Sequence, residues 1–176
     1  MRKRPLTAAA LAVLVLSGGL VACDDPRVDV FQANCTTKAL KWKVTVLKKK
    51  ARTPHREARL AAVNTGADGC VFRGYPEFLV HSGKAGQADG VGQGRTRPVS
   101  VPSGKGVVVD LRYRDVEAGR PGDGDCWVKN GSAVVAAPRD GDRTEVGVQD
   151  EKGRRMEFMD VCDHRIRMAP PRAAAD

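Results

Sequence analysis

At 176 residues the chain suits one ordinary domain and leaves little room for two, and 19 glycines, 10 prolines and a surplus of valine over leucine point away from long helices toward strands and turns. Arg2, Lys3 and Arg4 inflate the formal charge of +9: from Cys23 onward, 27 basic less 21 acidic residues leave +6. The two signs are interspersed, so acidic partners fit, whereas a nucleic-acid partner is not expected.

The chain opens with a basic start, an apolar stretch from Leu6 to Val21 and small residues before Cys23, the layout of a secretory signal peptide over residues 1–22. Ser17-Gly18-Gly19 interrupts a run already short of the roughly 20 apolar residues that a membrane span needs. Leu20-Val21-Ala22-Cys23 resembles the bacterial lipobox, whose cysteine sulfur receives a diacylglyceryl group before cleavage on its N-terminal side. Each buried methylene contributes about 0.8 kcal/mol, so two acyl chains on Cys23 hold a domain where one would not. The expected location is therefore the extracytoplasmic side of the cell membrane, with membrane lipid as the first partner. Residues 23–34 are polar, carry Pro26 and read as a tether; the stretch Asp24 to Asn34 reaches on the order of 35 Å when extended.

Setting Cys23 aside leaves Cys35, Cys70, Cys126 and Cys162, an even set in a compartment that permits disulfides. Four cysteines allow three pairings, and sequence alone does not choose. Cys35 with Cys70 and Cys126 with Cys162 is favoured, each closing a loop of about 35 residues worth roughly 3 to 4 kcal/mol in the chain-entropy account. The nested alternative joins Cys35 to Cys162 and Cys70 to Cys126. Without a C-x-x-C pair, and with His55, His81 and His164 far apart, no metal site or cofactor is expected.

Along the body, Trp42, Val44 and Val46 alternate with Lys41, Lys43 and Thr45 as a half-buried strand requires. The stretch 53–64 is ambiguous, because Thr53-Pro54 could start a helix. Residues 77–82, 106–114, 126–128, 132–137 and 144–149 are further strand candidates, and Asn130-Gly131 is a hairpin signal. Spacing and turns together suggest a β-sandwich of about seven strands. It spans residues 35–168, with 169–176 as a disordered tail.

Asn64-x-Gly66, Cys70 and Gly74-Tyr75-Pro76, set between Cys35 and the later Cys126 and Cys162, resemble an actinobacterial secreted domain, domain of unknown function 4232. The resemblance implies an immunoglobulin-like antiparallel sandwich, often behind a lipobox, with no established activity. It also implies that 53–64 contains a strand. Lys48 to Lys50 and the Gly-rich insertion after His81 depart from the family pattern. In Gly74-Tyr75-Pro76 the proline extends Tyr75 and Gly74 allows a tight approach, so Tyr75 is expected to pack its ring and donate its hydroxyl to a carbonyl.

Binding candidates are the cationic run Lys48, Lys49, Lys50, Arg52, Arg56 and Arg59, and Arg95 with Arg97 in the Gly-rich segment 83–97, read as a mobile connection. Asp123/Asp125 and Asp140/Asp142 fall in Asp-Gly-Asp stretches that lack a full calcium loop and read as turns. No G-x-S-x-G or S-x-x-K occurs, so no catalytic residue is assigned. The expectation is a lipid-anchored binding or structural module meeting an envelope protein. The alternatives are adhesion to an anionic envelope polymer through Lys48 to Arg59, and an envelope hydrolase.

Overall fold

The computed structural model describes residues 32–50, 53–84, 86–115, 126 and 128–175. The signal segment, Cys23, the tether to residue 31, Arg52, Asp123 and Asp125 lie outside the described residues. Apart from a 3-10 turn at Thr37–Ala39, the regular elements are strands. They are β1 Leu40–Val46, β2 His55–Asn64, β3 Cys70–Phe72, β4 Glu77–Ser82, β5 Gly86–Gly92, β6 Val99–Val101, β7 Gly106–Arg114, β8 Val128–Asn130, β9 Ser132–Ala136, β10 Thr144–Asp150, β11 Met159–Val161, β12 Arg165–Met168 and β13 Arg172–Ala173. Among the described residues no helix is long and apolar enough to cross a membrane.

The alternation in β1 places Val44 and Val46 in the core and Lys41 and Lys43 in solvent, and β7 buries Val107, Val109, Leu111 and Tyr113 in the same way. The stretch that could have been a helix is β2. Its Ala58, Leu60, Ala62 and Asn64 face inward, because β1 and β7 pair with it on both sides and tertiary pairing overrides helix propensity.

The order β12-β5-β4-β9-β10-β1-β2-β7 is closed by a pairing of β7 with β12, so eight strands form a ring. The all-β expectation holds, with the strands closed into a barrel by β12, a strand that the sequence pattern does not single out. Its Ile166 and Met168 enter the core while Arg165 and Arg167 stay outside. Closure matters physically, since it removes the open edges that a sandwich would present. Two junctions are parallel, β1 with β10 and β12 with β5. The small pairs β3–β6 and β8–β11 lie apart from the ring ladder.

Three further expectations change. The Gly-rich connection contains β5, which pairs with β4 and β12. Asn130-Gly131 is a corner between β8 and β9, which pair with other strands. There the Asn130 Oδ1 accepts from the Ser132 N–H at 3.0 Å, and a side chain on Gly131 would sit 2.7 Å from the Glu157 carbonyl oxygen. The tail expected to be disordered from residue 169 adds β13 to β7, with the Arg172 guanidinium on Asp110 at 2.8 Å.

Two apolar clusters fill the interior. The larger gathers Val44, Leu60, Phe78, Leu111, Tyr113 and Ile166; the smaller gathers Cys35, Leu40, Cys70, Phe72, Val101 and Val107. Trp42 packs against both, its ring 6.3 Å from that of Phe72, and its indole N–H donates to the Thr37 carbonyl at 3.1 Å. The disulfides are Cys35–Cys70 and Cys126–Cys162. The first joins the smaller cluster, and the Cys35 N–H donates to the Val71 carbonyl at 3.1 Å, stitching the chain entering the domain onto β3.

Gly74 adopts φ +107°, which glycine reaches freely, and turns the chain into Tyr75. The Tyr75 ring lies on Gly92 of β5, where a Cβ would come within 2.3 Å of it, and the Tyr75 hydroxyl donates to the Gln93 carbonyl at 2.6 Å. Gly92→Ala should therefore destabilise the domain by about 1 to 3 kcal/mol through overpacking. In a Tyr75→Ala background the same substitution should be nearly neutral. A double-mutant cycle by urea unfolding checks this, and additive effects would show that the two residues do not compete for the same space.

Candidate functional site

The cationic run lands where β1 ends and β2 begins. The Leu47 N–H donates to the Glu57 carbonyl at 2.9 Å, and the Leu47 carbonyl accepts from Arg56 Nε at 3.2 Å, so the lysines are held against β2. The Lys48 N–H donates to the Glu151 carboxylate at 3.0 Å.

Carboxylates meet most of these cations. Lys49 and Arg56 both reach the buried Asp115, each at 3.5 Å. Lys50 bridges both oxygens of Glu57 at 2.9 and 3.0 Å. Arg59 donates to Asp110 at 3.0 Å, on the carboxylate that Arg172 also holds. Burial alone would push the Asp110 carboxyl up, but hydrogen bonds and charge from Arg172 and Arg59 outweigh it and hold the group below the usual carboxylate range. Glu57, Asp110 and Asp115 were not singled out in the sequence. They reach these cations through cross-strand register, as in Arg59 opposite Asp110.

Asp115 ends a polar cluster at one rim of the barrel. Neighbouring Asp160 on β11 has its carboxyl raised, first by burial and then by Asp115, against the opposing pull of Lys129 and Arg56. Burial also pushes the Tyr113 phenol well above its ordinary value.

Asp140 and Asp142 form a latch. Asp140 accepts the Thr37 N–H at 2.6 Å, and this bond first of all holds its carboxyl below the usual range. Thr37 Oγ1 donates to the Asp142 carbonyl at 2.9 Å and accepts from the Ala137 N–H at 2.9 Å, while Lys38 pairs with Asp142 at 2.8 Å. These acidic groups therefore serve the turn that carries them. Among the described residues no three His, Cys, Asp or Glu side chains gather as metal ligands.

Arg95 and Arg97 are exposed on the connection from β5 to β6. The start of that connection, Gln93, comes beside Arg59. Both line a depression of about 470 Å³ on the outer faces of β2, β7 and β12, together with Leu47, Asp110, Arg112 and Arg167. A second, shallower depression of about 500 Å³ lies along β4 and β5, where His81, Lys84 and Gln87 meet Arg143. Arg143 is itself bound to Glu77 at 2.7 Å.

Asn64 and Gly66 form a separate, structural constellation. Asn64 Nδ2 donates to the carbonyls of Asp68 and Val101 at 2.8 and 3.0 Å, and its Oδ1 accepts the Gly66 N–H at 2.9 Å.

The family described as Domain of unknown function (DUF4232) matches residues 35–170, and the chain belongs to that family. The match covers both disulfides and all the strands from β1 to β12. No curated protein matches the chain significantly.

Proposed function

We propose that this chain is a lipid-anchored, extracytoplasmic module of the cell envelope that binds or braces a partner and performs no chemistry of its own. The observation that carries the reading is the pairing of Cys35 with Cys70 and Cys126 with Cys162, which leaves Cys23 as the odd cysteine at the end of the apolar run. Disulfides belong to oxidising compartments, and a lipobox cysteine needs no thiol partner. In this reading Cys23 holds the domain at the membrane, the two disulfides harden it, and its outer loops meet an envelope protein.

We also read the barrel as an immunoglobulin-like sandwich to which β12 has been added. Support comes from β1, which pairs antiparallel with β2 on one side and parallel with β10 on the other, and from the consecutive run β10-β9-β4-β5 facing β2 and β7. Adhesion to an anionic polymer through Lys48 to Arg59 is the weaker reading, because Lys49, Lys50, Arg56 and Arg59 already face carboxylates.

Cys23→Ser tests the anchor. Mass spectrometry of the mature protein should find diacylglyceryl on Cys23 in the wild type, and the variant should leave the membrane fraction or persist uncleaved. A variant that is processed normally and remains membrane-bound at wild-type levels would sink the proposal. Crosslinking in intact envelopes, comparing the two forms, should then identify contacts that depend on anchoring.

A further inference from the structure

The barrel leaves positive charge over at a place the sequence did not mark. β7 and β12 pair antiparallel with Arg167 directly opposite Arg112, and both side chains are exposed on the outer face. Like charges facing each other across a ladder are destabilising. The carboxylates nearby are already engaged: Glu57 by Lys50, and Asp110 by Arg59 and Arg172 together. Among the described residues neither the Arg112 nor the Arg167 side chain forms an ion pair or a hydrogen bond. Both line the 470 Å³ depression, beside Gln93, whose side chain is exposed, and Arg59.

We propose that Arg112 and Arg167 form a binding site for a phosphate group, either inorganic phosphate or the phosphate monoester of a small ligand. A guanidinium presents a planar fork that one carboxylate fills with its two oxygens. Two forks on adjacent strands call for an anion with three or more oxygens, so that each fork receives its own pair or shares one. A tetrahedral phosphate dianion meets that requirement and also cancels the repulsion between the two arginines. Leu47 and Ala169 at the margin offer apolar contact to whatever organic group carries the phosphate. This site adjoins the end of the cationic run at Arg59, and it does not depend on the anchor at Cys23.

The test is isothermal titration and thermal unfolding of the full chain with inorganic phosphate and with glycerol 3-phosphate, against sodium chloride and acetate at matched ionic strength. Phosphate should bind saturably at one site and raise the melting temperature beyond what either control achieves. Arg112→Gln and Arg167→Gln should each weaken phosphate binding at least tenfold. Without phosphate they should melt at or slightly above the wild-type temperature, since the repulsion is gone. Lys152→Gln, which removes one positive charge from an exposed turn, should bind like the wild type. Equal affinity for the two ligands assigns the site to phosphate itself, and a tighter monoester assigns it to an organic phosphate. The proposal fails if chloride or acetate reproduces the shift, if Lys152→Gln weakens binding as much as the arginine variants do, or if both arginine variants retain wild-type affinity.

Discussion

Replacing Cys35 and Cys70 together with alanine should lower the unfolding free energy by about 3 to 4 kcal/mol, which for a domain of this size is a fall of about 10 °C in melting temperature. The bond closes a loop with a sequence separation of 35 that contains β1 and β2, the hairpin at one side of the ring. Without it the unfolded chain recovers the conformational freedom of that whole loop. Cys126–Cys162 closes a loop with a separation of 36, so loop entropy predicts the same loss for Cys126→Ala with Cys162→Ala. The two double variants should nevertheless differ. Cys35 and Cys70 are both buried among Phe72, Val101 and Val107, whereas Cys162 is partly exposed, so the first pair also loses core contacts. Urea unfolding measures both, and a rise in the slope against denaturant would report a more expanded unfolded state. Midpoints unchanged by removing either bridge would contradict the bracing role assigned to them.

Much of the barrel was legible because its strands alternate in the sequence. In β1 and β7 large apolar residues fall on one face and charged ones on the other, and residues 106–114 were read with the bounds the strand takes. β2 hid its alternation behind alanine: Ala58 and Ala62 face inward, Ala61 outward, and a stretch that mixes three alanines with Glu57, Arg59 and Leu60 is equally good as a helix. β5 hid for a different reason. Its glycines leave room for larger side chains from neighbours, the Tyr75 ring on Gly92 and Met168 with Phe78 on Gly90, so the apolar face of this strand is supplied largely by other elements. No local pattern announces such an arrangement.

The candidate site was less legible than the fold. A run of six cations is visible at once, but whether a cation is spent depends on which carboxylate the register sets beside it. Glu57 meets Lys50 across the β1–β2 hairpin, and Asp110 and Asp115 became partners only when β2 and β7 paired over nine residues. Arg112 and Arg167 stand far apart in the chain and sit in unremarkable alternating strands. Their juxtaposition follows from the closure of the ring by β12. The charge that matters for recognition is the part left over after pairing, and that remainder belongs to topology.

Asn64→Leu should cost about 2 to 4 kcal/mol, because it removes the side chain that ties the end of β2 to the 66–68 turn and to β6. Asn64 ends β2 with only 1% of its surface exposed. Its backbone N–H donates to the Lys105 carbonyl and its carbonyl accepts the Gly104 N–H, both on the turn into β7. Its side chain then holds Asp68, Gly66 and Val101. Leucine has nearly the same volume, so packing is conserved and the loss isolates the polar contacts. Asp68 and Gly66 lie near solvent and can turn to water, whereas Val101 is fully buried and its carbonyl loses a donor that water does not replace. Asn64→Asp separates this account from a simple packing effect. A carboxylate would keep the bond from Gly66 but face the Val101 carbonyl with no donor, which raises the folded-state pKa above the unfolded value. The penalty should then be full at pH 7, shrink as the pH falls through the raised folded-state pKa, and have largely gone by about pH 4, where the protonated acid donates to one carbonyl. Urea unfolding of both variants at pH 7 and pH 4, each against the wild type at the same pH, measures the two effects. An Asn64→Leu variant within 1 kcal/mol of the wild type, or an Asn64→Asp penalty independent of pH, would show that the domain does not depend on these hydrogen bonds.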